Sequence, residues 1–306
     1  MDKNTLTEKY RPKDFDLMEM DDINKKILNN IITTNNFPNL LFYGQPGTGK
    51  TTTIINLIDK YLQKNNIKNK GLVMHFNASD DRGIELIRKQ ILDFIKSDGL
   101  LSNSVKFIIL DEVDYMTKQA QMQLKLEIEK YYDKVRFCLI CNYICKLEKS
   151  LLSEFIIMRF SNIGFEKTTN ILKNIVDKEK LDKSKEDIDN ILNYYKTDIR
   201  SMINYLQHSD KKIFSKKHYI EFKTQILNNS IEDINLFLLK KCSELNIPIE
   251  QFLKKILIYV IDNNNNLTYK VLIDIERIFI YSFEVSYLLS YMKENSSYLF
   301  LTKDLI

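Results

Sequence analysis

Short apolar runs alternate with segments of helical spacing through the first half of the chain. The runs are NLLFYG (39–44), GLVMHFNAS (71–79), VKFIILDEVD (105–114), VRFCLICNY (135–143) and FIIMRF (155–160). Between them, GKTTTIINLIDKYLQKNN (49–66), GIELIRKQILDFIKS (83–97) and TKQAQMQLKLEIEKYY (117–132) place apolar residues three and four apart, as an amphipathic helix requires. A strand open to water on one side alternates apolar with polar residues. These runs are nearly continuous, so both faces must be covered. Five such strands alternating with helices predict an α/β domain over 1–161, with a parallel sheet between helices.

Past residue 162 the strand signal stops. EKTTNILKNIVDKEK (166–180), SKEDIDNILNYYK (184–196) and DIRSMINYLQ (198–207) predict three short helices, a small helical lid over 162–210. From 211 to 306 helical periodicity continues through IEDINLFLLKKCSEL, IEQFLKKILIYVID and YKVLIDIERIFIYSFEVSYLLSYMK, with the Asn run 263–266 as a loop between helices. The last of these is apolar on more than one face, with Ile278, Phe279, Ile280, Tyr281, Phe283, Val285, Tyr287, Leu288 and Leu289. A helix apolar all round needs partners on both sides. Those partners are an internal core or other subunits, and oligomerisation through this region is the expectation.

A length of 306 residues suggests about two domains. No apolar run approaches the ~20 residues that span a bilayer, and the opening MDKNTLTEKYRPK lacks an apolar signal core. The expectation is a soluble, non-secreted protein of a cytosolic or nuclear compartment, with no membrane partner. A net charge of +4 announces no global basic field, so any nucleic-acid contact rests on local patches or on several copies together. The cysteines are Cys138, Cys141, Cys145 and Cys242. A spacing of three within a strand puts Cys138 and Cys141 on opposite faces, which argues for free thiols and against a zinc site.

The strongest chemical signal is GQPGTGKT (44–51), which fits G-x-x-x-x-G-K-[ST] at every required position. Glycines at 44, 47 and 49 let backbone approach phosphates, Lys50 supplies charge, and the Thr51 hydroxyl can ligand magnesium. A strand precedes the motif and a helix follows, the context it needs. FIILDEVD (107–114) ends a strand in acids, where Asp111 can hold the magnesium shell and Glu112 can orient a water. Phosphoryl transfer rests on positioning and charge compensation, so further polar groups are expected. Asn142, after the fourth strand, is placed for one such role. Arg200, in the first turn of a lid helix that Asp198 caps, is placed for another. Taken singly, surface carboxylates and a solvated arginine are the plain alternatives.

With these residues in place, the chain resembles the small subunits of the replication factor C clamp loader, within the AAA+ ATPases. The resemblance covers nearly all of residues 5–210 and weakens over the C-terminal helices. It is carried by TEKYRPKDF (7–15), FYGQPGTGKTT (42–52), NASDDRG (77–83), DEVDYMTKQAQ (111–121), RFCLICNY (136–143) and DIRSMINYLQ (198–207). EKYRP and NASDDRG discriminate, because a generic AAA+ motor carries neither.

The resemblance implies a RecA-like αβα sandwich, a helical lid and an all-α C-terminal collar that closes a five-membered ring. It implies ATP and Mg2+ as cofactors. Tyr10, Arg11 and Pro12 would lie against the base, and Gly44, Gln45, Pro46, Gly47, Thr48, Gly49, Lys50, Thr51 and Thr52 around the phosphates. Thr51 and Asp111 would serve the metal, Glu112 the water, Asn142 and Arg200 the two sensor positions. Arg82 and Arg88, with Lys89 nearby, match the region facing the DNA backbone, where contacts track phosphates and carry no base information. The implied partners are other clamp-loader subunits in a hetero-pentamer, a sliding clamp and primer–template DNA. The helix 117–132 is expected to touch the clamp, with Leu124, Ile128, Tyr131 and Tyr132 as its docking face or, equally, as core.

Three positions depart from the family pattern. Lys125-Leu126 stands where paired arginines are usual, and Thr197 where a glycine precedes Asp198. Ser153-Glu154-Phe155 stands where a Ser-Arg-Cys triplet sends its arginine to a neighbour's ATP. The expected function is therefore an ATP-dependent clamp-loader subunit, an ATPase active in the assembled complex, that donates no arginine finger. The competing readings are a nucleotide-bound structural subunit whose own hydrolysis is dispensable, and a different AAA+ DNA motor.

Overall fold

A computed structural model describes residues 5–67, 70–79, 84–96, 105–161, 163–196, 198–207, 213–264, 267–281 and 284–300. The chain forms two compact units, one of Met1–Asp182 with Tyr195–Gln207, the other of Lys183–Tyr194 with His208–Ile306.

The first unit opens with α1 (Leu6–Lys9) and α2 (Asp22–Thr34), then alternates β1 (Leu40–Tyr43), α3 (Lys50–Lys64), β2 (Val73–Asn77), α4 (Ile84–Lys96) and β3 (Lys106–Asp111). It continues with α5 (Lys118–Lys130), β4 (Val135–Cys141), α6 (Lys149–Leu152), β5 (Ile156–Arg159) and α7 (Phe165–Glu179). After α8 (Lys185–Tyr195), it is completed by α9 (Ile199–Gln207). All pairings are parallel and the strand order is β2-β3-β4-β1-β5. In register, Leu40 faces Cys138 on one side and Ile156 on the other.

The central strands β1, β3 and β4 are buried on both faces, which is why they read as unbroken apolar runs, while the edge strands β2 and β5 are partly exposed. Leu40, Phe42, Phe107, Ile109, Cys138 and Ile140 point to one side, against Leu28 and Ile32 of α2 and Ile54, Leu57 and Ile58 of α3. Leu41, Ile108, Leu110, Phe137, Leu139 and Cys141 point to the other, against α4, α5 and Leu151 of α6. Cys138 and Cys141 thus lie on opposite faces, and among the described residues no cluster of metal-ligating side chains occurs.

On α5, Leu124 and Ile128 are 6% and 0% exposed and belong to this core. A docking role for these two is corrected: they fill the sheet's second face. Tyr131 packs partly on the same core, while Tyr132 is exposed. The apolar side chains that α5 turns outward are Met122 and Leu126, at 60% and 63%.

The second unit holds α8 up to Tyr194 with α10 (Lys216–Asn228), α11 (Ile231–Leu245), α12 (Ile249–Asn263), α13 (Tyr269–Ile280), α14 (Val285–Glu294) and α15 (Ser296–Phe300). Phe222, Leu238, Phe252, Ile256, Met292 and Phe300 are the centre of its core. The continuous helix suggested by 269–293 is broken: Tyr281 is extended, and Glu284 begins α14. One straight helix of that length would run about 37 Å and carry its two apolar ends apart. The break brings Ile275 and Ile278 into one core with Leu288, Leu289 and Met292. Val285 packs partly on that core, Phe279, Ile280, Tyr281 and Tyr287 face outward, and Phe283 lies outside the described residues.

Candidate nucleotide site

Three neighbouring strands, β3, β4 and β1, end side by side, and the loops that leave them converge, as ligand sites of open parallel sheets do. The loop after β1 needs its glycines. Gly44 has φ +147°, and a Cβ there would lie 2.1 Å from the Phe160 carbonyl oxygen. Gly47 has φ +75°, and a Cβ there would lie 2.2 Å from Asp198 Oδ1. Gln45, Pro46 and Thr48 complete the turn, with the Thr48 hydroxyl donating to the Gln45 carbonyl at 2.9 Å.

Lys50 opens α3 with its ammonium turned back into the loop. It donates to the Gly44 and Gln45 carbonyls, both at 2.8 Å, and to Asn142 Oδ1 at 3.1 Å. All three ammonium protons are used, so burial of this charge is compensated. Burial nonetheless lowers its pKa, with Asp111 acting in the opposite sense. The Thr51 hydroxyl donates to Asp111 Oδ2 at 2.6 Å, while Asp111 Oδ1 accepts the Glu112 N–H at 2.9 Å. Glu112 is in the left-handed region at φ 57°, uncommon for a residue with a Cβ. Asp114 is buried and accepts the Asn142 N–H at 3.4 Å, tying the end of β4 to the turn after β3.

A glycine cradle with no room for a Cβ, a buried ammonium, and adjacent hydroxyl and carboxylate oxygens suit a phosphate chain and a hard divalent cation. Magnesium held there would neutralise charge on phosphate oxygens. The side chains able to reach it are Thr51 and Asp111.

Helix α9 starts over this loop. Asp198 caps it, accepting the Ser201 N–H at 3.1 Å and the Ser201 hydroxyl at 2.7 Å. Arg200, in the first turn, is exposed, and its charge reaches Lys50, whose pKa it helps to lower. No described carboxylate pairs with Arg200. At the start of the chain, Arg11 Nε donates to the Thr52 hydroxyl at 3.1 Å, and Asn56 Nδ2 donates to the Pro12 carbonyl at 2.9 Å. Tyr10 turns away, donating its hydroxyl to Glu179 of α7.

The fold brings Lys50, Thr51, Asp111, Glu112 and Asn142 together, with Asp198 and Arg200 above. Lys89 is exposed, Arg88 is carried by α4, and Arg82 and Thr197 lie outside the described residues. Sequence reasoning missed Asp114, although it closes the same DEVD run. It also missed Gln121, which is buried: its amide donates to the Met116 and Lys146 carbonyls, and its oxygen accepts the Glu148 N–H.

Residues 40–162 match the ATPase family associated with various cellular activities (AAA). Over 203 residues the chain is 41% identical to the probable replication factor C subunit 5 of Dictyostelium discoideum, covering 65% of this chain and 57% of that protein. It is 40% identical over 205 residues to human replication factor C subunit 5, covering 66% and 59%. The AAA match lies within the part of the chain that is similar to replication factor C subunits. The chain's similarity extends to fungal relatives, with 38% identity over 200 residues to replication factor C subunit 3 of Saccharomyces cerevisiae, covering 65% and 58%. In each case the matched part spans less than three-fifths of the relative. Among solved structures, a Thermotoga maritima RuvB variant shares the fold with a TM-score of 0.53 at 20% identity, over 95% of this chain and 88% of that one.

Proposed function

We propose that this chain is an ATP-dependent clamp-loader subunit that helps open a ring-shaped sliding clamp and load it onto primer–template DNA. The observation that carries the reading is the Lys50–Asn142 bond beside the Thr51–Asp111 bond, at 3.1 Å and 2.6 Å. Together these link the phosphate loop to the ends of β3 and β4. In this reading Lys50 and Arg200 meet the phosphates, and Asp111 and Thr51 hold Mg2+. Glu112 orients the attacking water and Asn142 senses the terminal phosphate. Arg11 and Pro12 face the base, while Tyr10 is held by Glu179.

The chain works as an AAA+ body over 1–161, a lid over 162–210 and a collar over 211–306 that joins a hetero-pentamer at the site of DNA replication. Lys89, Arg88 and Arg82 track DNA phosphates. Glu154 sits in the turn after α6, half-buried, with the Ser153 hydroxyl 3.4 Å from its carboxylate. A carboxylate there compensates no phosphate charge, so the subunit hydrolyses its own ATP with a neighbour's help and donates no finger.

The test is clamp-stimulated ATP hydrolysis and clamp loading by the assembled complex. Lys50→Ala and Glu112→Gln should each abolish this subunit's turnover and impair loading. Unchanged loading with both would favour the nucleotide-bound structural subunit.

A further inference from the structure

Glu179 is the last residue of α7, followed by Lys180 in the left-handed conformation that ends the helix. An acid at this end opposes the helix dipole, which favours cations there. A locally unfavourable choice of this kind calls for compensation from elsewhere in the fold. Here it comes from the opposite end of the domain sequence. Glu179 Oε1 receives the Lys9 ammonium at 2.8 Å and the Tyr10 hydroxyl. The two donors hold the Glu179 carboxyl below the ordinary range.

Lys9 and Tyr10 lie in a short strap, Leu6–Pro12, fastened at every step. Its start is held by α9, where the Leu6 N–H donates to Gln207 Oε1 at 3.1 Å. Its end is held by α3, through Arg11 on the Thr52 hydroxyl and Asn56 on the Pro12 carbonyl. Glu179 supplies the middle fastening. Thr52 adjoins Thr51, so the strap reaches the phosphate loop on one side and the lid helices on the other.

We propose that Glu179 is a positioning residue for nucleotide recognition. Its carboxylate latches the strap across α3 so that Arg11 and Pro12 are pre-set beside the bound base. The proposal rests on the nucleotide-binding reading above. Ordering the strap before binding removes an entropic cost from the base contacts and leaves the phosphate contacts alone. Loss of the latch should therefore weaken recognition of the nucleoside and spare recognition of the phosphate chain.

The experiment displaces a fluorescent ATP analogue from the full chain, in Mg2+, with ATP, CTP and inorganic tripolyphosphate. Glu179→Ala should weaken ATP about tenfold and shrink the preference for ATP over CTP, with tripolyphosphate changed by less than about twofold. Glu179→Gln, which keeps an acceptor for Tyr10 but loses the Lys9 ion pair, should fall between. If Glu179→Ala does not fold, the Lys9→Met/Tyr10→Phe double variant removes the same latch from the other side. An equal loss for ATP and tripolyphosphate, or no loss for either, overturns the latch and leaves nucleotide binding standing. If neither ligand binds the unmutated chain, the nucleotide reading itself fails, and the latch with it.

Discussion

The ammonium of Lys50 lies 3.1 Å from the amide oxygen of Asn142, a bond that joins the loop after β1 to the residue after β4. The backbone N–H of Asn142 is in turn held by the buried Asp114, so the amide cannot swing freely toward the loop. Asn142→Ala should leave nucleotide affinity within a few-fold while cutting hydrolysis in the assembled complex by about 10²-fold. Asn142→Asp should cost a similar factor, because a second carboxylate beside Asp111 repels phosphate. Single-turnover hydrolysis and an equilibrium binding titration separate the two effects.

Gly47 faces Asp198 with no space for a side chain. Gly47→Ala should therefore displace the start of α9 and strain the loop, costing about 1–3 kcal/mol of stability from backbone conformation alone. A denaturant titration should show that loss. Nucleotide binding should fall more steeply than stability, since the moved helix carries Arg200. Asp198→Asn keeps the cap and should be mild by comparison.

Glu154 is half-buried in the turn after α6, with the Ser153 hydroxyl 3.4 Å from its carboxylate. Glu154→Ala should leave the ATPase rate of the assembled complex within about twofold, because no transition-state charge depends on it. Glu154→Arg should raise that rate if a competent neighbour's site faces it, and leave it unchanged if the subunit borders the gap. Abolished hydrolysis in Glu154→Ala would refute the reading.

The thiols divide by burial. Cys145 is exposed, whereas Cys138, Cys141 and Cys242 are buried. Native alkylation followed by mass spectrometry should label Cys145 first, and the others only in denaturant. Burial, aided by Asp114, pushes the Cys141 thiol up to about 12. In the unfolded chain it ionises near its ordinary value of 9. The raised folded value means its contribution to stability is complete below about pH 9 and is lost as pH rises towards 12. Denaturation midpoints should thus fall across that alkaline window, and less steeply in Cys141→Val.

Leu57 of α3 is fully buried against the sheet. Leu57→Ala should destabilise the first unit by about 2–5 kcal/mol, read from a thermal or urea transition. Leu126→Ala on α5, 63% exposed, should leave that transition unmoved.

The central strands β1, β3 and β4 were legible because burial on both sides demands continuous apolar residues, a pattern that helices seldom copy. The cap of α9 was legible too: Asp198 sits three residues before Ser201, and short polar side chains at that spacing close a helix start locally. What escaped was everything that depends on distant packing. Leu124 and Ile128 share a helical face whether that face meets the sheet or a partner, so periodicity could not choose. The break at Tyr281 follows from the need to turn two apolar stretches into one core, which no local residue announces. The pairing of Glu179 with Lys9 and Tyr10 joins segments at opposite ends of the domain and leaves no trace in spacing.

The sheet order has a consequence for how the chain is made. β1 is the first strand synthesised, yet both its neighbours, β4 and β5, come last. A ribosome that has produced β1, β2 and β3 can pair β2 with β3 but leaves β1 without a partner. The Gly44 turn also closes against the Phe160 carbonyl, a residue that follows β5. Pairing over such distances in the chain is slow, because the entropy of closing the loop is lost before the strands can meet and offset it. The phosphate loop, first among the nucleotide-site motifs after the opening strap, is therefore among the last parts of the domain to take shape, and a nascent chain arrested before residue 160 should retain no nucleotide.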